Sequence, residues 1–227
     1  NFISANNKNK LKSTLKDIHY ADIAELIDNL NIEEATYLIK LLDSDTTADA
    51  LAEIDDEKRE KILKNLSAKE IAEELTELDT DDAVDIISEL PEERKERVIS
   101  QIEDNQHIED IRELLTYDEY TAGGLMAKEL VKVNENLSVL KCLNEMRSQA
   151  ENVSRVHSIY VVDSKNRLKG RLSLKDLITA NSKAKVKDIF IPNVDYVYVT
   201  DENEEVARKM SKYDLEAIPV INKKKEL

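Results

Sequence analysis

Residues 67–78, SAKEIAEELTEL, are followed directly by residues 79–90, DTDDAVDIISEL, and the two stretches share one spacing of aliphatic residues. Each ends in a leucine and carries a second aliphatic residue three positions earlier, as in Leu75 and Leu78. Spacings of three and four residues place side chains on one face of a helix. Each stretch is therefore predicted to be a short helix followed by a tight turn.

The same 12-residue period runs without a break from His19 to Ile102, which makes seven units. The last aliphatic residues of these units are Leu30, Leu42, Ile54, Leu66, Leu78, Leu90 and Ile102. Most of the residues that follow are of types that cap a helix or occupy its first turn. They are Asn31, Asp43, Asp55, Ser67, Asp79, Pro91 and Glu103.

Helices this short bury one stripe of side chains and must stack on their neighbours to cover it. Two consecutive units would form an antiparallel hairpin of 24 residues. A coiled coil is excluded because 12 is a multiple of neither 7 nor 11 and because the caps interrupt the helix. We predict an all-α superhelix for residues 19–117. Ahead of it, residues 1–18 carry four lysines among Leu11, Leu15 and Ile18, which predicts a basic amphipathic helix or a frayed tail.

Charge is distributed unevenly along the 227 residues. Residues 19–117 hold 30 Asp and Glu against 10 Lys and Arg, a net charge of −20, whereas the rest of the chain has 18 acidic and 23 basic residues. The whole chain has a net charge of −15, so it should repel nucleic acid and attract cations. A nucleic-acid partner is therefore not expected.

Other features of the composition exclude several classes of function. No run of apolar residues reaches the roughly 18 to 20 that a bilayer span requires. One cysteine, Cys142, and three histidines are too few for a disulfide or a closed zinc site, and a reducing cytoplasm is the expected compartment. Cys142 and Met146 lie four positions apart and are predicted to be core residues. No nucleophile motif or positioned acid–base pair occurs, so we do not expect an enzyme.

The pattern changes near residue 118, after which all three glycines fall. The predicted order is then strand, helix, strand, strand, helix, with Ser138 as the cap of the first helix. These elements lie at residues 130–134, 139–146, 158–162, 168–172 and 174–180. A second copy is predicted with a start at 186–189, a strand at 196–199, a helix at 204–213 and a strand at 218–221, and it ends without its hairpin partner. The predicted fold class is thus α followed by α/β.

The second half resembles a tandem pair of cystathionine-β-synthase (CBS) domains, at residues 118–183 and, incompletely, 184–227. The resemblance rests on the order of elements and on Gly170, Ser173 and Asp176, which match the pattern that closes the CBS hairpin. It implies that Ser173 and Asp176 could contact the ribose and phosphate of an adenine nucleotide such as ATP. The alternative is structural, because a serine can cap the following helix and an aspartate suits its first turn.

Asp81 and Asp85 form the clearest pair of candidate metal ligands. They are four positions apart on a predicted helix, so their side chains can converge on one ion. Mg²⁺ prefers carboxylate and water oxygens and is commonly held by one or two carboxylates. The alternative is that Asp79, Asp81 and Asp82 complement the positive end of the helix dipole.

Taken together, the two halves resemble the cytosolic region of MgtE-type magnesium transporters. The stretches that carry the resemblance are the HYADIAE segment from His19, residues 78–90, TAGGLM at 121–126, YVVD at 160–163 and GRLSLKDL at 170–177. The resemblance implies metal sites at the junction between superhelix and CBS pair. Their ligands would be Asp81, Asp85, a carbonyl of Gly123 or Gly124, Glu202, Glu204 and Asp214.

The function that the resemblance implies is regulatory. We expect a Mg²⁺-sensing region at the cytoplasmic face of a membrane, which closes on Mg²⁺ and gates a transmembrane domain of the same protein that these residues do not include. A homodimer through the CBS pair is also expected, with candidate apolar faces on the helices of Leu140, Leu143 and Met146 and of Val206 and Met210. The alternative is an adenine-nucleotide-binding CBS protein with a regulatory or scaffolding role.

Overall fold

The structure is a computed structural model and describes residues 8–151, 153 and 155–227. The chain divides into two compact units, the first ending at Arg112 and the second running from Glu113 to Leu227. Among the described residues, no helix combines the length and apolar character that crossing a membrane requires. The basic segment predicted at residues 1–18 contains a helix, α1, which spans Lys8–Leu15 and buries both of its leucines. Residues 1–7 lie outside the described residues.

Seven further helices of the first unit follow the 12-residue period. They are α2 (Tyr20–Asp28), α3 (Ile32–Ile39), α4 (Ser44–Glu53), α5 (Asp56–Leu63), α6 (Ala68–Leu75), α7 (Thr80–Ser88) and α8 (Glu92–Ile99). One helix falls in each predicted 12-residue repeat, which confirms the helical repeat. A ninth helix, α9 (Asn105–Leu114), follows the last 12-residue repeat.

Six of the seven predicted cap residues are the N-cap residues of α3 to α8, although within the described residues Asp79 and Pro91 make no capping hydrogen bond with their side chains. Asn31, Asp43, Asp55 and Ser67 each accept a hydrogen bond from a backbone N–H in the first turn. Glu70 returns the contact to the Ser67 backbone and completes a capping box. The prediction for Glu103 is wrong by one residue, since the carboxylate of Asp104 accepts from the first backbone N–H groups of α9.

The helices stack in the manner of consecutive hairpins. α2 packs on α4, α4 on α6 and α6 on α8, while α3 packs on α5, so helices that pack together are two 12-residue repeats apart in sequence. The aliphatic residues three positions before the end of each unit form the centre of the stack, and each is at most 2 % exposed. They are Ile27, Ile39, Leu51, Leu63, Leu75, Ile87 and Ile99. Burial of this stripe accounts for the stability of helices that are too short to persist alone.

The second unit begins with the expected strand–helix–strand–strand–helix order. Its strands are β1 (Val131–Asn134), β2 (Ile159–Val162), β3 (Leu168–Leu172) and β4 (Ile191–Pro192), and its helices are α10 (Val139–Ala150) and α11 (Leu174–Thr179). The sheet has the order β1-β2-β3-β4, with β1 and β2 parallel and the other neighbours antiparallel. Cys142 is fully buried in the core of this copy and Met146 packs against it, as predicted.

The second copy differs from prediction at its start. Residues Val186–Asp188 form a 3₁₀ helix, and Val186 is buried in the core of the first copy. Its remaining elements are β5 (Val197–Tyr198), α12 (Asn203–Tyr213) and β6 (Val220–Ile221), with β5 and β6 parallel. The elements occur where they were predicted, but both strands are shorter.

Candidate functional site

The structure places Asp81 and Asp85 one turn apart on α7. Asp81 is half-buried, and burial, followed by repulsion from Asp82 and Asp79, raises its pKa to about 6. The first turn of α7 contains Asp81 and Asp82, so the helix dipole accounts for part of this arrangement, as the structural alternative proposed.

Carboxylates of a second helix add to the charge on this face. Burial raises the pKa of Asp82 first, and repulsion from Asp79 and Asp85 and from Glu53 and Asp49 of α4 raises it further. We call these five carboxylates, together with Asp81, the acidic face. When they are ionised, these carboxylates repel one another, and a bound cation would reduce that repulsion.

The acidic face is not a preformed metal cage. Across the described part of the chain, no three His, Cys, Asp or Glu side chains are grouped so that they could hold a metal ion. Mg²⁺ nevertheless requires no such cage, because it keeps several of its waters and binds through one or two carboxylates. The oxygen-only donors Asp81 and Asp85 suit it chemically.

In the second unit, the glycine pair lies beside the start of α12. The Gly123 N–H donates to Val199 O at 2.9 Å, and Asn203 N–H donates to Tyr120 O at 2.9 Å. Thr121 pairs with Glu202 in an antiparallel bridge. The structure therefore brings Gly123 and Glu202, two of the predicted ligands, into the same part of this unit.

Close packing accounts for both glycines. A Cβ on Gly123 would lie 2.7 Å from the ring of Tyr117, and one on Gly124 would lie 2.3 Å from Asp118 O. Neither approach leaves room for a side chain. The two glycines are therefore explained by packing, and the proposed carbonyl ligand remains a prediction of the resemblance.

The three predicted acids of α12 occupy opposite ends of the helix. Glu202 is the N-cap residue and Glu204 lies in the first turn, whereas Asp214 is the C-cap residue, with φ 52° and ψ 50°. A helix of 11 residues is about 16 Å long. Glu202 and Asp214 therefore cannot bind one ion, and any metal at Asp214 is separate from metal at the N-terminal end.

The residues of the predicted nucleotide site lie on β3 and α11. Gly170 is required by strand packing, because a Cβ would lie 2.2 Å from Ile191 O on β4. Ser173 is the N-cap residue of α11, the position that the structural alternative gives it. The expected capping hydrogen bond is absent, however, because within the described residues the Ser173 hydroxyl accepts no hydrogen bond from the helix. Asp176 lies in the first turn, as expected.

Sequence reasoning missed the contribution of Asp49 and Glu53 to the acidic face. The structure shows a regularity that the sequence alone did not reveal: three polar contacts between helices join residues 30 positions, or two and a half 12-residue repeats, apart, namely Lys40–Glu70, Ser44–Glu74 and Arg59–Glu89. The same interval of 30 residues separates Asp49 from Asp79.

These features define a class of protein: one that combines an acidic helical-repeat domain with a pair of CBS domains. The family model described as the MgtE intracellular N domain matches residues 18–120, and the CBS domain model matches residues 122–183 and 186–227. Together they account for nearly all of the chain.

Sequence relatives agree with this match. The chain is 44% identical over 111 residues to the magnesium transporter MgtE of Thermus thermophilus, and this aligned stretch covers 49% of the chain and 25% of that protein. It is 36% identical over 106 residues to MgtE of Enterococcus faecalis, which covers 47% of the chain and 23% of that protein. The chain spans about a quarter of the length of these curated relatives.

Two solved structures resemble the whole chain. One is the cytosolic domain of the Mg²⁺ channel MgtE in complex with ATP, with 34% identity, a TM-score of 0.91 and coverage of 99% of this chain and 91% of that one. The other is the soluble part of a magnesium transporter, with 28% identity, a TM-score of 0.86 and coverage of 99% and 88%. The chain belongs to the MgtE family of magnesium transporters and corresponds to their cytosolic domain.

Proposed function

We propose that this chain is a Mg²⁺-sensing regulatory region, without enzymatic activity, at the cytoplasmic face of a membrane. Mg²⁺ binds carboxylates of both units and draws the units together, and this closure controls the pore of the full-length transporter. The observation that carries the proposal is the acidic face of α7, where burial and neighbouring carboxylates raise the pKa of Asp81 to about 6. Membership of the MgtE family supports Mg²⁺ as the cation.

The residues that would hold Mg²⁺ are Asp81 and Asp85 in the first unit, and Glu202, Glu204, Asp214 and a carbonyl of Gly123 or Gly124 in the second. Without metal, these carboxylates repel one another. With metal, the same charges become ligands. Two ions, each at tenfold saturation, would contribute about 1.4 kcal/mol apiece, which shifts a balanced hinge about a hundredfold.

Small-angle scattering of the chain with and without Mg²⁺ tests the proposal. We expect a smaller radius of gyration with Mg²⁺, and we expect the double variant Asp81→Asn with Asp85→Asn to lose this change. The matched control is Asp22→Asn with Glu25→Gln, which removes two charges from exposed positions of α2 and should respond like the unmodified chain. A radius that is the same in both buffers contradicts closure.

A second binding function is supported by a specific observation. In the described structure, neither the Ser173 hydroxyl nor the Asp176 carboxylate is engaged in a hydrogen bond, so both are free to contact a ligand. A related structure contains ATP. We propose that the CBS pair binds an adenine nucleotide with Ser173 and Asp176 at the ribose and phosphates.

Calorimetric titration with ATP tests this second proposal. Ser173→Ala with Asp176→Ala should abolish the binding heat, whereas Thr179→Ala, which removes a hydroxyl bonded only to backbone carbonyls of α11, should leave it unchanged. Binding that survives the double variant contradicts the assignment. Titrations with ATP and with Mg²⁺ separately distinguish a nucleotide-binding protein from a metal sensor.

We also propose that the chain forms a homodimer through its CBS pair. Leu143 and Met146 pack on the core of their own domain, but Leu140 of α10 and Leu174 and Ile178 of α11 are 57 %, 57 % and 67 % exposed. Leu140, Leu174 and Ile178 are candidates for a self-complementary contact, whose commonest closed form is a twofold dimer. Light scattering should give twice the 25.9 kDa of one chain. A monomer mass at every concentration contradicts the dimer.

A further inference from the structure

Two turns of the second unit share one backbone geometry. The first joins β2 to β3, and the second follows β6 at residues 222–226. Asp163 Oδ1 accepts hydrogen bonds from the backbone N–H groups two and four residues later at 2.8 and 3.1 Å, and Asn222 Oδ1 accepts from the equivalent groups at 2.8 and 3.0 Å. Asn166 and Lys225, each three residues after the acceptor, have φ of 57° and 64°. The two CBS copies therefore use the same kind of turn.

Three hydrogen bonds join these two turns to each other. Leu168 N–H donates to Lys225 O at 2.9 Å, and Leu227 N–H donates to Asn166 O at 3.1 Å. The side-chain amide of Asn166 donates to Leu227 O at 2.7 Å. The two backbones form an antiparallel bridge at this point, and backbones paired in this way lie about 5 Å apart. Two stretches some 60 residues apart in sequence thus contribute to one small area of surface.

The exposed side chains of the paired turns are mostly cationic. The two carboxylates among them are already engaged. Asp163 is paired with the Arg167 guanidinium at 2.7 Å and lies 4.0 Å from Lys169, and Glu226 accepts from the Asn222 amide at 2.7 Å. Six exposed cations surround them, and we call these six the basic surface. They are Lys165, Arg167, Lys169, Lys223, Lys224 and Lys225.

Four lysines of the basic surface have no anionic partner. Within the part of the chain that the structure describes, no carboxylate lies at ion-pair distance from Lys165, Lys223, Lys224 or Lys225. The six cations and two carboxylates leave an excess of four positive charges. This excess stands out in a chain whose net charge is −15, and it calls for an anionic partner.

We propose that the basic surface binds the anionic phospholipid headgroups of the membrane and holds the CBS pair against the cytoplasmic leaflet. That leaflet has a negative surface potential, which attracts clusters of about four to eight Lys and Arg. The chain corresponds to the cytosolic domain of a family of membrane transporters, so the full-length protein keeps it close to lipid and a weak attraction suffices. The contact is independent of Mg²⁺, because it uses none of the proposed metal ligands.

The arrangement of the cations favours a lipid surface over a single small anion. All six side chains are exposed on two turns, so they can meet several headgroups of a flat surface at once. The net charge of −20 on residues 19–117 opposes this attraction. At physiological ionic strength the Debye length is about 8 Å, so charges that lie farther than this from the lipid contribute little.

Cosedimentation of the whole chain with vesicles, in buffer with EDTA and without Mg²⁺, tests the proposal. We expect binding to vesicles of equal parts phosphatidylcholine and phosphatidylglycerol, and none to vesicles of phosphatidylcholine alone. Each lysine near an anionic surface contributes about fivefold to the partition coefficient. The triple variant of Lys223, Lys224 and Lys225 to Gln should therefore lower the partition coefficient by at least about tenfold. An unmodified chain that does not bind the mixed vesicles overturns the proposal.

The matched control removes the same number of charges from the first unit. Lys61, Lys64 and Lys69 are exposed and pair with carboxylates of their own helices, at 3.5, 2.7 and 3.3 Å. Their triple variant to Gln changes the net charge of the chain equally but should leave the partition coefficient almost unchanged. Equal losses in the two triple variants would assign the binding to net charge and overturn a specific surface.

Two single variants test whether both turns belong to one surface. Lys165 and Lys224 occupy equivalent positions, each two residues after the acceptor that organises its turn. Lys165→Gln and Lys224→Gln should each lower the partition coefficient about fivefold, and together by the product of the two losses. Lys165→Gln without effect contradicts a shared surface.

Inorganic phosphate distinguishes a lipid surface from a site for a free anion. Phosphate that replaces chloride at constant ionic strength should leave vesicle binding unchanged. Displacement of the chain from the vesicles by phosphate would indicate a small-anion site and overturn the assignment to lipid.

Discussion

Asp163 fixes the turn between β2 and β3 with four hydrogen bonds. Its Oδ1 accepts from the backbone N–H groups of Lys165 and Arg167 at 2.8 and 3.1 Å, and its Oδ2 accepts from the Arg167 guanidinium at 2.8 and 2.7 Å. The guanidinium is the main reason why the pKa of Asp163 falls to about 2. Asp163 therefore organises the hairpin of the first CBS copy.

We predict that Asp163→Asn destabilises the hairpin. The amide keeps one acceptor but directs an N–H group or a neutral oxygen at Arg167, so the charge-assisted contact is lost. Protection of β2 and β3 against hydrogen exchange should fall clearly. In the unmodified chain the stabilisation by this carboxylate is present above 3.8 and is lost as the pH falls through about 2.

Asp195→Asn is the matched control for this prediction. Its carboxylate lies 3.8 Å from Lys209 on the surface, and both side chains are substantially exposed. Exposed ion pairs of this kind contribute between zero and about 1 kcal/mol. Equal losses of hairpin protection in the two variants would contradict a special role for Asp163.

The raised pKa of Asp81 predicts that Mg²⁺ affinity depends on pH. Protons compete with the metal below about pH 6, so the apparent affinity should fall as the pH drops through that value, by up to about tenfold per pH unit for one competing carboxylate. Calorimetric titrations with Mg²⁺ at several pH values measure this change. Asp81→Asn should bind Mg²⁺ more weakly and show a flatter pH dependence, and an affinity that is constant through pH 6 argues against Asp81 as a ligand.

At the scale of the helices, cationic side chains join the ends of one repeat to another. Arg59 of α5 is only 6 % exposed, and its Nη1 donates to the carbonyls of Leu51, Ala52 and Ile54 at the end of α4. Its Nε donates to Glu89 at 3.0 Å. A cation at the C-terminal end of a helix satisfies carbonyls that lack helical partners and complements the helix dipole.

We predict that Arg59→Ala lowers the free energy of unfolding of the first unit by about 3 kcal/mol, because it leaves a partly buried carboxylate and several carbonyls without their donor. Urea unfolding followed by far-UV circular dichroism measures this loss. Lys61→Ala is the control, because Lys61 makes an exposed i,i+4 pair with Glu57 at 3.5 Å, and it should change stability by less than about 0.5 kcal/mol. A loss no larger than that of the control would contradict the assigned role of Arg59.

The helical elements could be predicted from sequence because their information is local. A 12-residue period with caps such as Asn31 and Ser67 specifies where each helix starts, and two-unit stacking follows from the need to cover the apolar stripe. β4 was not predictable, since its two residues, Ile191 and Pro192, form a strand only by pairing with β3. The same holds for Val186, which is buried by residues distant in sequence.

The candidate sites divide in the same way. The helical spacing of Asp81 and Asp85 could be read from the sequence, and so could their place near a helix start. The approach of Asp49 and Glu53 to Asp82, which adds to the effect of burial on the Asp82 pKa, depends on how α4 and α7 are placed in the folded stack. Likewise, the sequence could not predict that, within the described residues, the Ser173 hydroxyl makes no capping hydrogen bond, because a serine before a helix looks the same in the sequence whether or not it caps that helix.

At the scale of the whole molecule, the charge distribution separates two explanations of a response to Mg²⁺. Residues 19–117 carry a net charge of −20, whereas residues 118–227 are nearly neutral with 17 acidic and 19 basic residues, so added salt should change the long-range interaction between the two halves little. Simple screening therefore does not favour compaction, whereas metal bound by carboxylates of both units does.

We predict that, at a constant ionic strength of about 0.1 M, where the Debye length is about 10 Å, exchanging KCl for MgCl₂ reduces the radius of gyration. NaCl in place of KCl should have no effect, and Asp81→Asn with Asp85→Asn should remove the response to Mg²⁺. Equal compaction by either monovalent salt would assign the effect to screening and contradict metal-linked closure.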